Sequence, residues 1–209
     1  VDLAQVHTNT ELAQAMSRTA FGGRNVGEAA DVLYEMVTNP ECLVVGTFSG
    51  AMTVAKMGLV LCDMIEQGML QAVITTGALM AHRFVEASRR VHFKYDPGLD
   101  DKELYYRGYN RVYDTLELEQ NLDDVAEIFN DVLTDADPSE TLCSYKINRL
   151  LGAYLARHTT GRGILKSAYE HNVPVYVPAF TDSEIGLDFA LTNRRRRLAG
   201  KTPFAYDPF

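Results

Sequence analysis

Residues 41–83, ECLVVGTFSGAMTVAKMGLVLCDMIEQGMLQAVITTGALMAHR, decide how the chain is read. An apolar run from Leu43 to Phe48 meets the small-residue turn Ser49-Gly50-Ala51. A long amphipathic segment follows to Gln67-Gly68, and a second apolar run, Ala72 to Thr76, ends in Gly77-Ala78. Strand, turn, helix, strand and turn in that order predict a right-handed βαβ unit, the building block of a parallel sheet covered by helices. Both turns fall at C-terminal strand ends, where open α/β sheets hold ligands and where backbone N–H groups at a helix start can meet a phosphate. A nucleotide is therefore the first ligand to consider. No G-x-G-x-x-G follows the first strand, and small residues in such turns also serve simply to let helix and strand pack closely.

The whole chain sets the frame around this unit. Its 209 residues, 46% hydrophobic and 23% charged, suffice for one domain with a real core or for part of a larger one. No window approaches the ~18 uninterrupted apolar residues of a membrane span. The start, VDLAQVHTNTELAQAM, lacks a basic stretch and an apolar run, so no secretory signal is visible. Cys42, Cys62 and Cys143 show no C-x-x-C spacing, so no disulfide framework is expected and a reducing cytoplasm is the default. The five histidines are dispersed, which gives metal ligation no support. A net charge of −8 weighs against nucleic acid as a partner and permits a cationic one.

Two helices are expected before the central unit, one opening near Thr10 and stopping at Gly22-Gly23, the other spanning about Val26 to Val37 before Asn39-Pro40. The central helix is read from Met52 to Ile65, with Lys56 inside it. That lysine is either a buried Schiff-base amine or, the commoner arrangement, a lysine that snorkels from a helix edge. A helix from Leu79 to Arg90 would place His82 just beyond the second turn, as a polar residue at a helix start or as a ligand contact at the mouth of the sheet. The tyrosine-rich stretch from Val91 to Asp124 has weak periodicity and reads as a surface excursion or a subunit contact. Helices are then expected at Asn121 to Leu133, capped by Asn121, at about Ser139 to Arg157, and at Ile164 to Glu170. A third strand, Val173 to Phe180, leads to the acidic turn Thr181 to Asp188, whose acids could hold a ribose or a cation, or cap a helix, Asp182 serving as the N-cap. Arg194 to Arg197 reads as a solvated helix end, and Lys201 to Phe209 as a chain cut off partway.

Four strings carry a family resemblance: GTFSGAMTVAKMG (46–58), VITTGALMAH (73–82), RGYNRVYDT (107–115) and PVYVPAFTDSEIGLD (174–188). Their order and spacing resemble the deoxyhypusine synthase family, most closely its bacterial and archaeal deoxyhypusine synthase-like branch. The resemblance implies an α/β fold with a Rossmann-like parallel sheet and helices on both faces, NAD as cofactor, and a homotetramer with active sites between paired subunits. Members oxidise spermidine with NAD, pass its aminobutyl group through a lysine imine to a protein lysine, and reduce the product with the NADH just formed. Some relatives pass the group to putrescine instead.

Carried over by the resemblance, Ser49, Gly50, Ala51, Met52 and Thr53 after the first strand would contact NAD, as would Thr76, Gly77 and Ala78 after the second. Asp182 would also stand at the cofactor. Asp188 would face the substrate as the counterpart of an aspartate that contacts polyamine, at a spacing longer by one residue; His82 is a substrate-contact candidate only from its place beyond the second turn, not from the resemblance. Two departures stand out. The family's adjacent acids after the second turn are replaced here by Ala81-His82-Arg83, which should repel a polyamine unless another acid compensates. The family's imine lysine lies in a later segment near a W-G-K string; this chain has no tryptophan, and none of Lys56, Lys166 or Lys201 matches that motif. The catalytic residue is thus unassigned, and the 209 residues read as a single α/β domain lacking the C-terminal part of the family fold. The expectation is an NAD-dependent transferase for spermidine or a related amine. The alternatives are a nucleotide-binding scaffold without the chemistry, or an imine-forming enzyme for a less cationic amine or amino acid, which His82 and Arg83 would suit.

Overall fold

The computed structural model describes residues 1–49, 52–79 and 91–208. It divides into two compact units, Val1–Val44 and Val45–Phe209.

The first unit is a helix pair, α1 (Asn9–Ser17) and α2 (Phe21–Thr38). Thr8 opens α1 through a capping box: its hydroxyl accepts from the Glu11 N–H at 3.1 Å, and the Glu11 carboxylate accepts from the Thr8 N–H at 2.9 Å. The helices approach backbone to backbone at Gly27, where a Cβ would stand 2.2 Å from the Ser17 nitrogen. The expected stop at Gly22-Gly23 is wrong. Chain reversal comes earlier, at residues 18–20, and both glycines lie in the first turn of α2.

The second unit is mixed α/β. Strands β1 (Val45–Phe48), β2 (Ala72–Thr75) and β6 (Val175–Tyr176) form a parallel sheet with β2 in the centre. Its register pairs Phe48 with Thr75, and Val73 with Val175. Helix α3 (Gly58–Glu66) joins β1 to β2, burying Leu61, Cys62 and Ile65. This helix is shorter than its apolar pattern predicts, because residues 53–56 form turns and Lys56 takes a left-handed φ of 64°. Lys56 is therefore outside the helix, in the turn that precedes it.

The tyrosine-rich stretch is not an irregular excursion. It builds a second, antiparallel sheet from β3 (Phe93–Lys94), β4 (Tyr109–Val112) and β5 (Thr115–Leu118), with β5 central, and a short helix α4 (Asp101–Tyr106). Arg111 of β4 clamps Asp101 of α4 with two bonds, at 2.6 and 2.8 Å. Helix α5 (Glu119–Thr134) follows without a side-chain cap; Asn121 is buried within it and does not cap it.

Helices α6 (Ser144–His158) and α7 (Ile164–Glu170) pack through Gly152, where a Cβ would lie 2.4 Å from the Leu165 carbonyl oxygen. Helix α6 begins later than its sequence pattern predicts, since Leu142 instead bridges to Tyr206. Two polar residues of α6 are buried because they satisfy the backbone of the chain around β6. Asn148 donates to the Val175 carbonyl and Ser144 accepts from the Val177 N–H, each at 3.0 Å. This leaves the third strand only two residues long, shorter than expected; residues 180–182 turn into a 3₁₀ helix.

Helix α8 (Glu184–Leu198) ends in Arg195, Arg196 and Arg197, where positive charge suits a helix C-terminus. The chain after it is not loose. Asn193 holds Phe204 by donating to its carbonyl at 3.0 Å and accepting from its N–H at 2.8 Å.

Candidate functional site

Parallel pairing brings the C-terminal ends of β1, β2 and β6 to one edge of the sheet. The Thr75 hydroxyl ties the first two together by donating to the Phe48 carbonyl at 3.0 Å. Sequence reasoning did not single out this residue, though a threonine at the end of an apolar strand is the available signal.

After β1, Ser49 is exposed and Thr53 is fully buried, with the Met52 N–H bonding back to the Ser49 carbonyl at 3.4 Å. Gly50 and Ala51 lie outside the described residues. After β2, Thr76 and Ala78 are exposed and Gly77 is buried, and residues 77–79 enter a helical turn. His82, with Ala81 and Arg83, lies outside the described residues, as does the rest of the helix expected to Arg90.

The turn after β6 closes on the turn after β2. Gly77 sits so close to Ser183 that a Cβ would meet the serine Cβ at 2.1 Å and its hydroxyl at 2.4 Å. Ser183, not Asp182, caps α8: its hydroxyl accepts from the Gly186 N–H at 3.1 Å and donates to the Phe180 carbonyl at 2.6 Å. Gly186 presses on the same turn, with room for no Cβ beside the Phe180 carbonyl oxygen. Behind it, Phe180 stacks on Tyr206 at 5.4 Å between ring centroids.

Beside this junction lies a cleft of about 410 Å³ lined by Ala78, Thr181, Asp182, Ser183, Glu184 and Leu187. Of the residues singled out in the sequence, it brings Ala78 and Asp182 together. Since the cap is made by Ser183, the exposed Asp182 carboxylate is left to face the cleft chemistry, where it can accept from a ribose diol or an ammonium. Thr181, Glu184 and Leu187 were not anticipated individually, although all three belong to the stretch Thr181 to Asp188 read as the acidic turn.

Asp188 does not line this cleft. One helical turn beyond Glu184, burial pushes its carboxyl up from the ordinary range, Arg195 opposes that rise, and Asp123 of α5 adds to it. It thus senses the α5 side of α8. A wider cleft of about 580 Å³ opens there, between α5 and α8, with Asp123 and Glu127 facing Arg195, Arg196 and Lys201. Among the described residues, none from the strand-end turns lines it.

The strand-end cleft fits the ribose-bearing half of a dinucleotide. It has small residues at strand ends, an uncommitted carboxylate and a volume within the ~300–1,000 Å³ usual for ligand sites.

Comparison with known proteins adds an independent line. Residues 11–207 match the family model described as deoxyhypusine synthase. The chain is 34% identical over 180 residues to "Probable deoxyhypusine synthase 1" of Methanosarcina mazei, covering 86% of this chain and 56% of that protein. It is 32% identical over 188 residues to "Probable deoxyhypusine synthase 2" of the same organism, covering 89% and 54%. To the "Deoxyhypusine synthase-like protein" of Coxiella burnetii the identity is 26% over 183 residues, covering 86% and 52%. The chain thus spans about half the length of these relatives. An Entamoeba histolytica protein assigned as a deoxyhypusine synthase has a crystal structure that superposes with a TM-score of 0.67 at 15% identity, over 99% of this chain and 69% of that one. At that identity the likeness is one of fold.

Proposed function

Because the chain belongs to the deoxyhypusine synthase family, we propose that it forms part of an NAD-dependent transferase that moves an aminobutyl or related alkylamine group through a lysine imine. Spermidine or a related amine is the donor, a protein lysine or a second small amine the acceptor, and a cytoplasmic homotetramer on a Rossmann-like sheet the working form. The observation that carries this reading is the shared cleft of Ala78, from the turn after β2, and Asp182, from the turn after β6.

When bound, NAD supplies a hydride acceptor and returns the hydride later. The chain's own residues do the rest. Turns 49–53 and 76–78 would offer backbone N–H groups to the diphosphate, and Asp182 would accept from a ribose diol. A cationic amine would meet Asp182 and Glu184 at the cleft. Contact of Asp188 with an amine would belong to the α5 face of α8 instead.

Titration of NADH by fluorescence tests the cofactor reading: the 209-residue chain should bind, and Asp182→Asn should weaken binding about tenfold or more, the loss of a charge-assisted hydrogen bond. Absence of binding by the unsubstituted chain overturns it. Assays of the longer protein with NAD and a panel of amines should show turnover with polyamines. Turnover only with amines that carry a carboxylate would instead favour the amino-acid reading, which His82 and Arg83 suit. Binding without turnover would favour the scaffold.

A further inference from the structure

The cleft between α5 and α8 takes no part in the function proposed above, and its two walls carry opposite charge. Asp123, Glu127 and Asp131 stand on α5 four residues apart, the spacing that lines side chains up along one face of a helix. Across from them are Arg195 and Arg196 of α8 and Lys201 just beyond it. Leu133 and Phe204 add buried apolar lining, 1% and 4% exposed. The helices are tied together within the cleft, where the Thr192 hydroxyl donates to Asn130 Oδ1.

Acids and bases that share a cleft would be expected to pair across it. Among the described residues, none of these charged side chains makes an ion pair. The two walls nevertheless act on one point. Burial raises the Asp188 carboxyl, Arg195 opposes that rise, and Asp123 adds to it. The opposed charges are thus close enough to share a neighbour and too far apart to touch, a gap that one small molecule can span.

Arg196 is fixed before any ligand arrives. Its Nε donates to the Thr202 carbonyl at 2.7 Å, and its guanidinium carbon lies 4.2 Å from the centroid of the Phe204 ring. Phe204 is itself clamped by Asn193. Among the described residues the two terminal nitrogens of Arg196 have no hydrogen-bond partner, so the flat fork that matches a carboxylate is left to the cleft.

We propose that this cleft is a second binding site, for a small aliphatic zwitterion. Its carboxylate would sit on Arg196 with Arg195 beside it, its ammonium on the carboxylates of α5, and its apolar spacer against Leu133 and Phe204. A simple anion meets repulsion from the α5 acids and a simple amine from the arginines, so a molecule with both charges is favoured over either. The volume of about 580 Å³ lies within the ~300–1,000 Å³ usual for ligand sites. The site stands independently of the cofactor reading, since Ala78 and Asp182 line the other cleft.

The test is isothermal titration of the 209-residue chain with ε-aminocaproate, caproate and hexylamine, which share a chain length and differ in charge. ε-Aminocaproate should bind at least about tenfold more tightly than either of the others, each of which lacks one charge-assisted hydrogen bond. Arg196→Gln and Glu127→Gln should each weaken ε-aminocaproate about tenfold. Arg196→Lys, which keeps the charge and loses the fork, should retain part of the affinity and serves if the glutamine variant fails to fold. Asp182→Asn should leave this binding unchanged. Equal binding of the three compounds, or no binding of ε-aminocaproate, overturns the proposal. So does a loss in Asp182→Asn with Glu127→Gln unaffected, which would place the zwitterion in the strand-end cleft.

Discussion

Gly77 and Ser183 touch so closely that neither turn can move without the other: the space where a Gly77 Cβ would sit is already filled by the Ser183 side chain. The turn after β2 is thereby fixed to the cap of α8, and the cleft residues Ala78 and Asp182 inherit one geometry. Gly77→Ala should destabilise the fold by about 2 kcal/mol, the usual cost of forcing extra atoms into a packed junction. Combining it with Ser183→Gly should recover part of that loss, so the two substitutions should be non-additive in a double-mutant cycle followed by urea unfolding.

Division of labour between neighbours gives a second expectation. Ser183→Ala removes the helix cap and should cost about 1 kcal/mol of stability. Asp182→Asn should leave stability within about 0.5 kcal/mol, as surface substitutions do, and act on ligand binding alone. Paired unfolding and NADH titrations separate these outcomes; a stability loss in Asp182→Asn equal to that of Ser183→Ala would assign the aspartate a capping role after all.

Asp188 should make stability depend on pH. Burial raises its folded pKa above the unfolded value, so its contribution is complete below the unfolded pKa and is lost as pH rises through the folded one. Asp188→Asn cannot titrate. Relative to the unsubstituted chain it should gain about 0.5 kcal/mol, a size set by partial exposure and the opposing Arg195, as pH rises from the acid range to neutrality. Urea midpoints across that range provide the measurement.

Glu66 should behave with the opposite sign. Hydrogen bonds from Arg162 hold its carboxyl below the usual range, against a smaller opposing effect of burial, and the same guanidinium reaches Asp63 at 2.5 Å. The contribution is in place above the unfolded pKa and is lost as pH falls through the folded one. Arg162→Ala should therefore cost about 1 kcal/mol at neutral pH, a modest figure because the network is part-exposed. The gap should narrow in acid, as parallel melts at neutral and acid pH would register.

What was legible in the sequence followed from periodicity and local chemistry. The pair β1 and β2 and the span of α7 read directly, because apolar runs between glycine-containing turns and a short amphipathic segment leave little choice. The second sheet was not legible. Its strands are two to four residues long, and the β4–β5 turn is Tyr113-Asp114, where Tyr113 takes a left-handed φ of 54° without the glycine that would have marked it. Lys56 looked helical because its apolar neighbours keep the period, while its left-handed backbone is imposed by the tertiary fold. Asp182 was read as a candidate ligand contact or N-cap; the cap proved to be one residue later.

The pairing of Val73 with Val175 has a kinetic consequence. It joins residues roughly a hundred positions apart, whereas the β4–β5 hairpin closes through two residues, so the hairpin carries far less loop-closure entropy. Hairpins form in roughly 1–10 μs, and non-local parallel pairing comes much later. The edge where β1, β2 and β6 end together is therefore complete only once this slow, long-range closure has been made. A ligand seated there should slow unfolding and leave the folding rate nearly unchanged.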